Sequence, residues 1–238
     1  MLPSLLWHAD VRGRSIVNAM DVRTMRTRTG PARSGTSLRA FCLLITVSVS
    51  SGAYTAVAAQ VPNEVVVVHI ETAKGLIAAE IYVTAAPIKA QNFLAYADEG
   101  IFDGGSFFRS VRMDNQPNDS VRIEVIQGGP DRSVGDRLRP SIPLERTSVT
   151  GLRHLDGTLS MARAAAPDSG GSQFFICVGD QPALDFGGAL NVDGQGFAAF
   201  GRVIAGMDVV RAIQMDDVEA QQLKDRVRIV RARRTNED

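Results

Sequence analysis

The chain contains few of the side chains from which metal and nucleophilic sites are built. Its 238 residues include two cysteines, three histidines and one tryptophan. After residue 59, the only cysteine and histidine residues are Cys177, His69 and His154, too few for the His/Cys clusters that bind zinc. A single cysteine cannot form an intramolecular disulfide, and in an apolar stretch it is typical of a small buried side chain. The sequence therefore predicts a protein without metal or cofactor, stabilised by its hydrophobic core.

Two other common enzyme sites are also disfavoured. Ser160, His154 and Asp156 have the residue types of a catalytic Ser-His-Asp triad. However, all three lie in one short segment that lacks the strand-to-helix turn of a nucleophilic serine. The glycine-rich stretches lie between strand-like segments and not ahead of a helix, where a nucleotide-binding loop would lie. Both a serine hydrolase and a nucleotide-binding protein are therefore poor interpretations.

The chain also lacks a long apolar run. Residues 40–63 carry no charge, but only Phe41–Val49 is strongly apolar, short of the ~20 residues that span a membrane. A basic region precedes this run and small residues follow it, which is the pattern of a secretory signal. We therefore predict that residues 1–59 are a leader cleaved near Ala58/Ala59 and that the mature chain is periplasmic or secreted. The alternative is a retained membrane anchor.

Positive charge is scarce in the rest of the chain. Of the 26 basic and 26 acidic residues, seven basic and two acidic ones lie in residues 1–59, which leaves 19 basic against 24 acidic. Proteins that bind nucleic acid need a basic face, so we expect no nucleic-acid partner. We also expect no stable membrane association after leader cleavage. Residues 60–238 are long enough for one domain, which we expect to be monomeric.

The most informative segment is Gly157–Val178, with the sequence GTLSMARAAAPDSGGSQFFICV. Its last residues alternate faces as a strand, so that Gln173, Phe175 and Cys177 share one side while Phe174, Ile176 and Val178 share the other. Glycine-, glutamine- and phenylalanine-rich blocks precede and follow it at Phe102–Arg109, Val125–Pro130, Ala183–Asp185 and Gly194–Val203. In this order and spacing, these blocks resemble the cyclophilin family of peptidyl-prolyl isomerases.

Local patterns predict the main elements of the fold. The expected elements are strands at Val65–Thr72 and Leu76–Tyr82, a helix from Pro87 to about Glu99, a second helix over Gly206–Met215 and a closing strand at Val227–Ala232. Many short strands with two helices favour an antiparallel barrel over a βαβ sheet. The resemblance implies a mainly β domain over residues 60–238: a closed eight-stranded antiparallel barrel capped by two α-helices. Residues 111–122 are predicted to be an exposed insertion.

The resemblance also implies the residues of the site. Arg109 corresponds to the catalytic arginine of the family, and Gln127 to the glutamine that binds the substrate carbonyl. The remaining substrate-binding residues implied are Val125, Ala162, Arg163, Gln173, Phe175, Leu184 and Phe197. The ligands implied are proline-containing polypeptides.

The sequence departs from the common family pattern at four places. The aromatic residue expected after the catalytic arginine falls in the insertion, where Glu124 and Val125 are the nearest residues. Ala183 occupies a tryptophan position, Arg163 an asparagine position and Phe197 a histidine position at the pocket rim. The resemblance predicts a peptidyl-prolyl cis-trans isomerase that assists the folding of exported proteins. The alternative is a proline-binding chaperone or scaffold module with weak or no catalysis.

Overall fold

Nine strands form one antiparallel sheet in the part of the chain that the computed structural model describes, residues 64–117 and 120–235. The strands run in the order β1-β2-β7-β5-β6-β4-β3-β9-β8, and β1 also pairs with β9. Eight strands therefore close into a barrel, and the two-residue β8 extends only the edge of β9. The strands are β1 (Val65–Thr72), β2 (Gly75–Tyr82), β3 (Ser106–Val111), β4 (Val125–Gly129), β5 (Thr158–Met161), β6 (Phe174–Cys177), β7 (Ala198–Ala205), β8 (Val218–Glu219) and β9 (Gln222–Arg234).

Three α-helices accompany the described strands: α1 (Pro87–Asp98), α2 (Thr147–Thr150) and α3 (Met207–Gln214). The two longer ones lie at opposite ends of the β1–β2 hairpin. At one end α1 binds Arg234 of β9, and at the other Val209 of α3 lies against Gly75 in the hairpin turn. The predicted barrel with two capping helices is confirmed. The one-turn α2 and three 3₁₀ segments (Arg132–Arg137, Pro167–Ser169 and Pro182–Leu184) were not predicted, because single turns are too short to show an apolar period.

Helix α1 shows how local sequence and distant contacts together build an element. Proline at its first position has a φ angle already suited to a helix. Gly100, at φ 65°, adopts a left-handed conformation that ends the helix. No side chain of its own sequence caps the N-terminus. Instead, the carboxylate of Glu145 accepts the backbone N–H groups of Ile88 at 3.0 Å and of Lys89 at 2.7 Å. A carboxylate is favourable there because the N-terminal end of a helix carries partial positive charge.

The two faces of β6 pack into two different apolar clusters, as the alternation of its sequence predicts. Phe174 and Ile176 point into the barrel core, where Phe174 makes edge-to-face contacts with Phe93 and Phe102 at centroid distances of 5.3 and 5.5 Å. The opposite face belongs to a second group that we call the outer apolar cluster. Its buried members are Val111, Ile123, Val125, Ala162, Phe175, Cys177, Leu184 and Phe197.

The predicted insertion is tied to the barrel by its own polar side chains. The backbone N–H of Arg112 donates to the side chain of Asn115, and the amide of Gln116 bonds to both the N–H and the C=O of Ile123. Both amide side chains are half-buried, so this part of the segment is less exposed than the sequence suggests. Among residues 64–117 and 120–235, no helix is long and apolar enough to cross a membrane. The predicted leader lies outside the described residues.

Candidate active site

Arg109 lies on β3 directly opposite Gln127 on β4, and this register places their side chains together. The guanidinium Nη1 donates to Gln127 Oε1 at 3.1 Å, and Nε donates to Gln221 Oε1 at 3.0 Å. Nη2 donates to the same Gln221 oxygen. Gln127 in turn donates its Nε2 to Gln173 Oε1 at 2.9 Å. Three of the predicted site residues therefore form one hydrogen-bonded row, with Gln221 as an unpredicted fourth member.

Burial determines the electrostatics of this row. Removal of the guanidinium from water lowers the pKa of Arg109 from its ordinary value to about 10, because burial disfavours the charged form. That value still lies well above neutral pH, so Arg109 is a cation under physiological conditions. A partly desolvated cation interacts more strongly with a developing negative charge than one in bulk water.

A cleft of about 640 Å³ opens over this row. Its lining includes Arg109, Gln127, Ala162, Arg163 and Gln173, five of the residues that the resemblance assigns to the site. A cleft of this volume accommodates a ligand of several residues, well beyond a single proline ring.

The other four assigned residues do not line the cleft. Val125, Phe175, Leu184 and Phe197 are members of the outer apolar cluster, which Ala162 connects to the cleft because it belongs to both. Phe175 and Phe197 pack edge to face, with centroids 5.4 Å apart at an interplanar angle of 87°. These side chains form the apolar wall behind the polar row.

Phe197, which the resemblance places at the pocket rim, does not line the cleft. Its side chain is buried and lies beneath Arg163, whose guanidinium carbon is 5.2 Å from the ring centroid. Arg163 is itself buried and binds Asp193 through Nη2 at 2.9 and 3.0 Å and the carbonyl of Gly196 through Nε at 2.8 Å. A phenylalanine is favoured under a guanidinium because the face of its ring attracts a cation.

Apolar residues flank the predicted insertion on both sides. Val111 ends β3 and Ile123 precedes β4, and both pack with Val125 in the outer apolar cluster. Glu124 is half-buried and accepts a weak hydrogen bond from Gln214 at 3.3 Å. The outer apolar cluster therefore receives aliphatic side chains, and no aromatic one, from this part of the chain.

A buried histidine supports the wall from behind. The ring of His154 stacks on Phe175 at a centroid distance of 6.0 Å and an angle of 16°. Its Nδ1 lies 2.7 Å from Asp185 Oδ1 and its Nε2 lies 2.9 Å from Ser160 Oγ. Burial alone would raise the pKa of Asp185, but the hydrogen bonds from His154 outweigh it and the pKa lies below its usual value.

These contacts form a serine–histidine–aspartate row, but not a hydrolytic one. Asp185 is its acid, whereas Asp156, the residue weighed in the sequence, accepts from the backbone of Gly179 and pairs with Arg211. The hydroxyl side of the row is closed, because Ser160 has no exposed surface. A substrate cannot reach that oxygen, so the row is structural.

Two contacts of the site have no local signal in the sequence. Gln221 lies 112 residues from Arg109, and Asp185 lies 31 residues from His154. The pairing of β9 with β3 brings Gln221 to Arg109, and loop packing brings Asp185 to His154. Among the described residues, no group of three or more His, Cys, Asp or Glu side chains is arranged to hold a metal ion.

Comparisons with known proteins identify the family to which the chain is similar. Residues 67–234 match the family described as cyclophilin type peptidyl-prolyl cis-trans isomerase/CLD. The chain is 38% identical over 146 residues to a peptidyl-prolyl cis-trans isomerase of Acinetobacter baylyi, covering 61% of this chain and 70% of that protein. It is 33% identical over 147 residues to peptidyl-prolyl cis-trans isomerase B of Escherichia coli, covering 62% and 83%.

Solved structures show the same fold. The crystal structure of a Cryptosporidium parvum cyclophilin type peptidyl-prolyl cis-trans isomerase superposes with a TM-score of 0.58 at 22% identity, covering 74% of this chain and 100% of that one. A second structure of that protein was determined in the presence of the dipeptide Ala-Pro, again with a TM-score of 0.58 at 22% identity; it covers 72% of this chain and 99% of that one. The chain therefore belongs to the cyclophilin family of peptidyl-prolyl cis-trans isomerases.

Proposed function

We propose that this chain accelerates cis–trans isomerisation of Xaa-Pro bonds in exported proteins as they fold, with Arg109 as its catalytic residue. The observation that carries the proposal is the hydrogen-bonded row Arg109–Gln127–Gln173 at the base of an open cleft. The Cryptosporidium parvum structure determined in the presence of the dipeptide Ala-Pro supports a proline-containing polypeptide as the ligand.

The chemistry needs no nucleophile. Partial double-bond character gives the peptide bond a rotational barrier of ~18–20 kcal/mol, and twisting the bond returns the lone pair to the prolyl nitrogen. A guanidinium directed at that nitrogen stabilises the twisted amide more than the planar one. Such selective stabilisation of the transition state increases kcat.

The glutamines then hold the substrate while the bond turns. The amide of Gln127 accepts from Arg109 and donates one N–H to Gln173, which leaves its second N–H to donate to a substrate carbonyl. The apolar wall that includes Phe175 and Leu184 adjoins the cleft through Ala162, and we expect the proline ring to pack against it. Binding and rotation therefore use different groups of the same site.

A protease-coupled assay on a short Xaa-Pro peptide tests the catalytic part of the proposal. An isomerase converts the cis fraction faster than the uncatalysed ~10–100 s at 25 °C, whereas a proline-binding module without catalysis leaves that rate unchanged. Binding without acceleration would support the scaffold or chaperone alternative and overturn the catalytic assignment.

The export part of the proposal rests on the basic, apolar and small-residue order of residues 1–59. We expect intact-mass measurement of the protein from the cell envelope to give a chain that begins near Ala59 or Gln60. A chain that retains Phe41–Val49 would instead indicate an anchor and would overturn the proposed release.

A further inference from the structure

The lining of the cleft is strongly unbalanced in charge. It contains five arginines (Arg109, Arg132, Arg139, Arg163 and Arg226) and a single acidic residue, Asp131. Residues 60–238 as a whole carry more acidic than basic side chains. The basic character is therefore local to the cleft and is not a property of the whole surface.

Two of these arginines are already neutralised by partners outside the lining. Arg163 pairs with Asp193 at 2.9 Å, and Arg139 pairs with Glu99. Their guanidinium groups are therefore occupied within the fold and add little net charge for a ligand.

The remaining rim cations are Arg132 and Arg226, both exposed. Neither forms an ion pair with a carboxylate in the described part of the chain; Asp131, whose carboxylate accepts the backbone N–H of Ser133 at 2.8 Å, lies near Arg226 and offsets part of its charge. Arg132 and Arg226 therefore give the exposed rim of the cleft an excess of positive charge. Such a field concentrates anionic ligands and repels cationic ones.

We propose that this cleft prefers polypeptide segments with a carboxylate side chain, Asp or Glu, within a few residues of the proline. The proposal rests on the isomerase function proposed above and defines the substrate class of the same site. The cleft volume of about 640 Å³ leaves room for the residues that flank the proline, so their side chains come within reach of Arg132 and Arg226. Because both arginines are exposed, the preference is moderate and depends on ionic strength.

The test compares three peptides that differ only two residues before proline, where one carries Glu, one Gln and one Lys. Exchange between cis and trans forms is measured by NMR, which avoids a protease with its own charge preference. We expect kcat/KM for the Glu peptide to exceed that for the Lys peptide by about three- to tenfold at low salt, and the ratio to approach one as salt screens the charges.

Variants assign the preference to the rim. Arg132→Gln combined with Arg226→Gln should bring the Glu-to-Lys ratio close to one. The matched control, Arg211→Gln combined with Arg231→Gln, removes two exposed cations outside the cleft and should retain the ratio. Should the rim variant fail to fold by circular dichroism, the salt dependence of the wild-type ratio still decides the question.

The outcomes separate the two proposals. Equal kcat/KM for the Glu and Lys peptides, with clear catalysis of the Gln peptide, would overturn the carboxylate preference and leave the isomerase function standing. A ratio that persists in the rim variant would also overturn it, because other groups would then select the ligand. A folded wild-type protein that accelerates none of the three peptides would overturn the isomerase function itself.

Discussion

Arg109, the proposed catalytic residue, depends on a side chain contributed by a distant turn. Gln221 lies between β8 and β9, and its amide oxygen accepts from both Nε and Nη2 of Arg109. Two bonds to one oxygen restrict rotation of the planar guanidinium about its long side chain. Gln221 is therefore a positioning residue, acting through Arg109.

Replacement of Gln221 by methionine should reduce kcat by about tenfold while KM changes less than twofold, because substrate-holding groups remain and only the cation loses its orientation. Steady-state isomerase kinetics on one Xaa-Pro peptide measure both constants. Gln91→Ala, which removes an exposed amide from α1, is the control and should leave both constants near wild type. An unchanged kcat in the Gln221 variant would show that Arg109 needs no such support.

Lys89 is a second residue whose environment decides its chemistry. Only 1% of its surface is exposed, and its Nζ donates to the carbonyl of Ile142 at 3.1 Å. Burial lowers the pKa of Lys89 from 10.5 to about 8, although Glu145 and Asp168 act in the opposite direction. The folded protein therefore releases this proton more readily than the unfolded chain does.

This difference predicts a pH-dependent stability. Between pH 8 and 10.5 the unfolded chain binds the Lys89 proton that the folded chain has lost, so this group makes the free energy of unfolding rise with pH. Relative to Lys89→Met, wild type should gain about 2–3 kcal/mol between pH 7 and pH 10. Urea unfolding of both proteins across that range gives the comparison, in which other titrating groups cancel. A constant difference would mean that Lys89 has an ordinary pKa.

At the scale of elements, the β8–β9 turn contains a strained residue. Ala220 has φ 54° and is the only non-glycine residue with positive φ in residues 64–117 and 120–235. A Cβ atom disfavours this left-handed region, at a cost of roughly 1–2 kcal/mol. Ala220 lies directly beside Gln221. The turn that supports Arg109 therefore holds an alanine in a backbone conformation that is unfavourable for it.

Ala220→Gly should therefore increase the free energy of unfolding by about 0.5–1 kcal/mol without loss of isomerase activity. The reverse change at Gly151 is a matched control: its φ is 73° and a Cβ there would meet no atom within 4 Å. Gly151→Ala should thus lose stability through backbone strain alone. Denaturant unfolding measures both variants, and destabilisation by Ala220→Gly would refute this view of the turn.

The elements predicted from sequence are those with a strong local pattern. β1 has its predicted bounds, and β2, α1 and α3 agree with the expected bounds to within one residue at each end. β9 was predicted too short, since the structure extends it from Gln222 to Arg234. Its early residues 224–226 are all exposed and charged, so no apolar alternation marks them as a strand. Pairing with β3 extends the strand there, and the local sequence of β9 does not show this pairing.

At the scale of the whole molecule, the barrel determines which parts of the site the sequence could reveal. Arg109, Gln127 and Gln173 stand in recognisable blocks, and their assembly follows from the pairing of neighbouring strands. Gln221 and the contact between His154 and Asp185 depend on closure of the barrel and on loop packing. The rim charges likewise come from separate segments that only the fold unites. Local sequence carries no signal for such contacts.

The whole account depends on Arg109 as the group that stabilises the twisted amide, and Arg109→Ala tests this most directly. We expect kcat to fall by two to three decades, which corresponds to ~3–4 kcal/mol, with a native circular dichroism spectrum and little change in KM. Arg109→Lys should recover little, because an ammonium group does not reproduce the planar guanidinium that bonds to two glutamines. A folded Arg109→Ala protein with near-native kcat would contradict the account and place catalysis elsewhere.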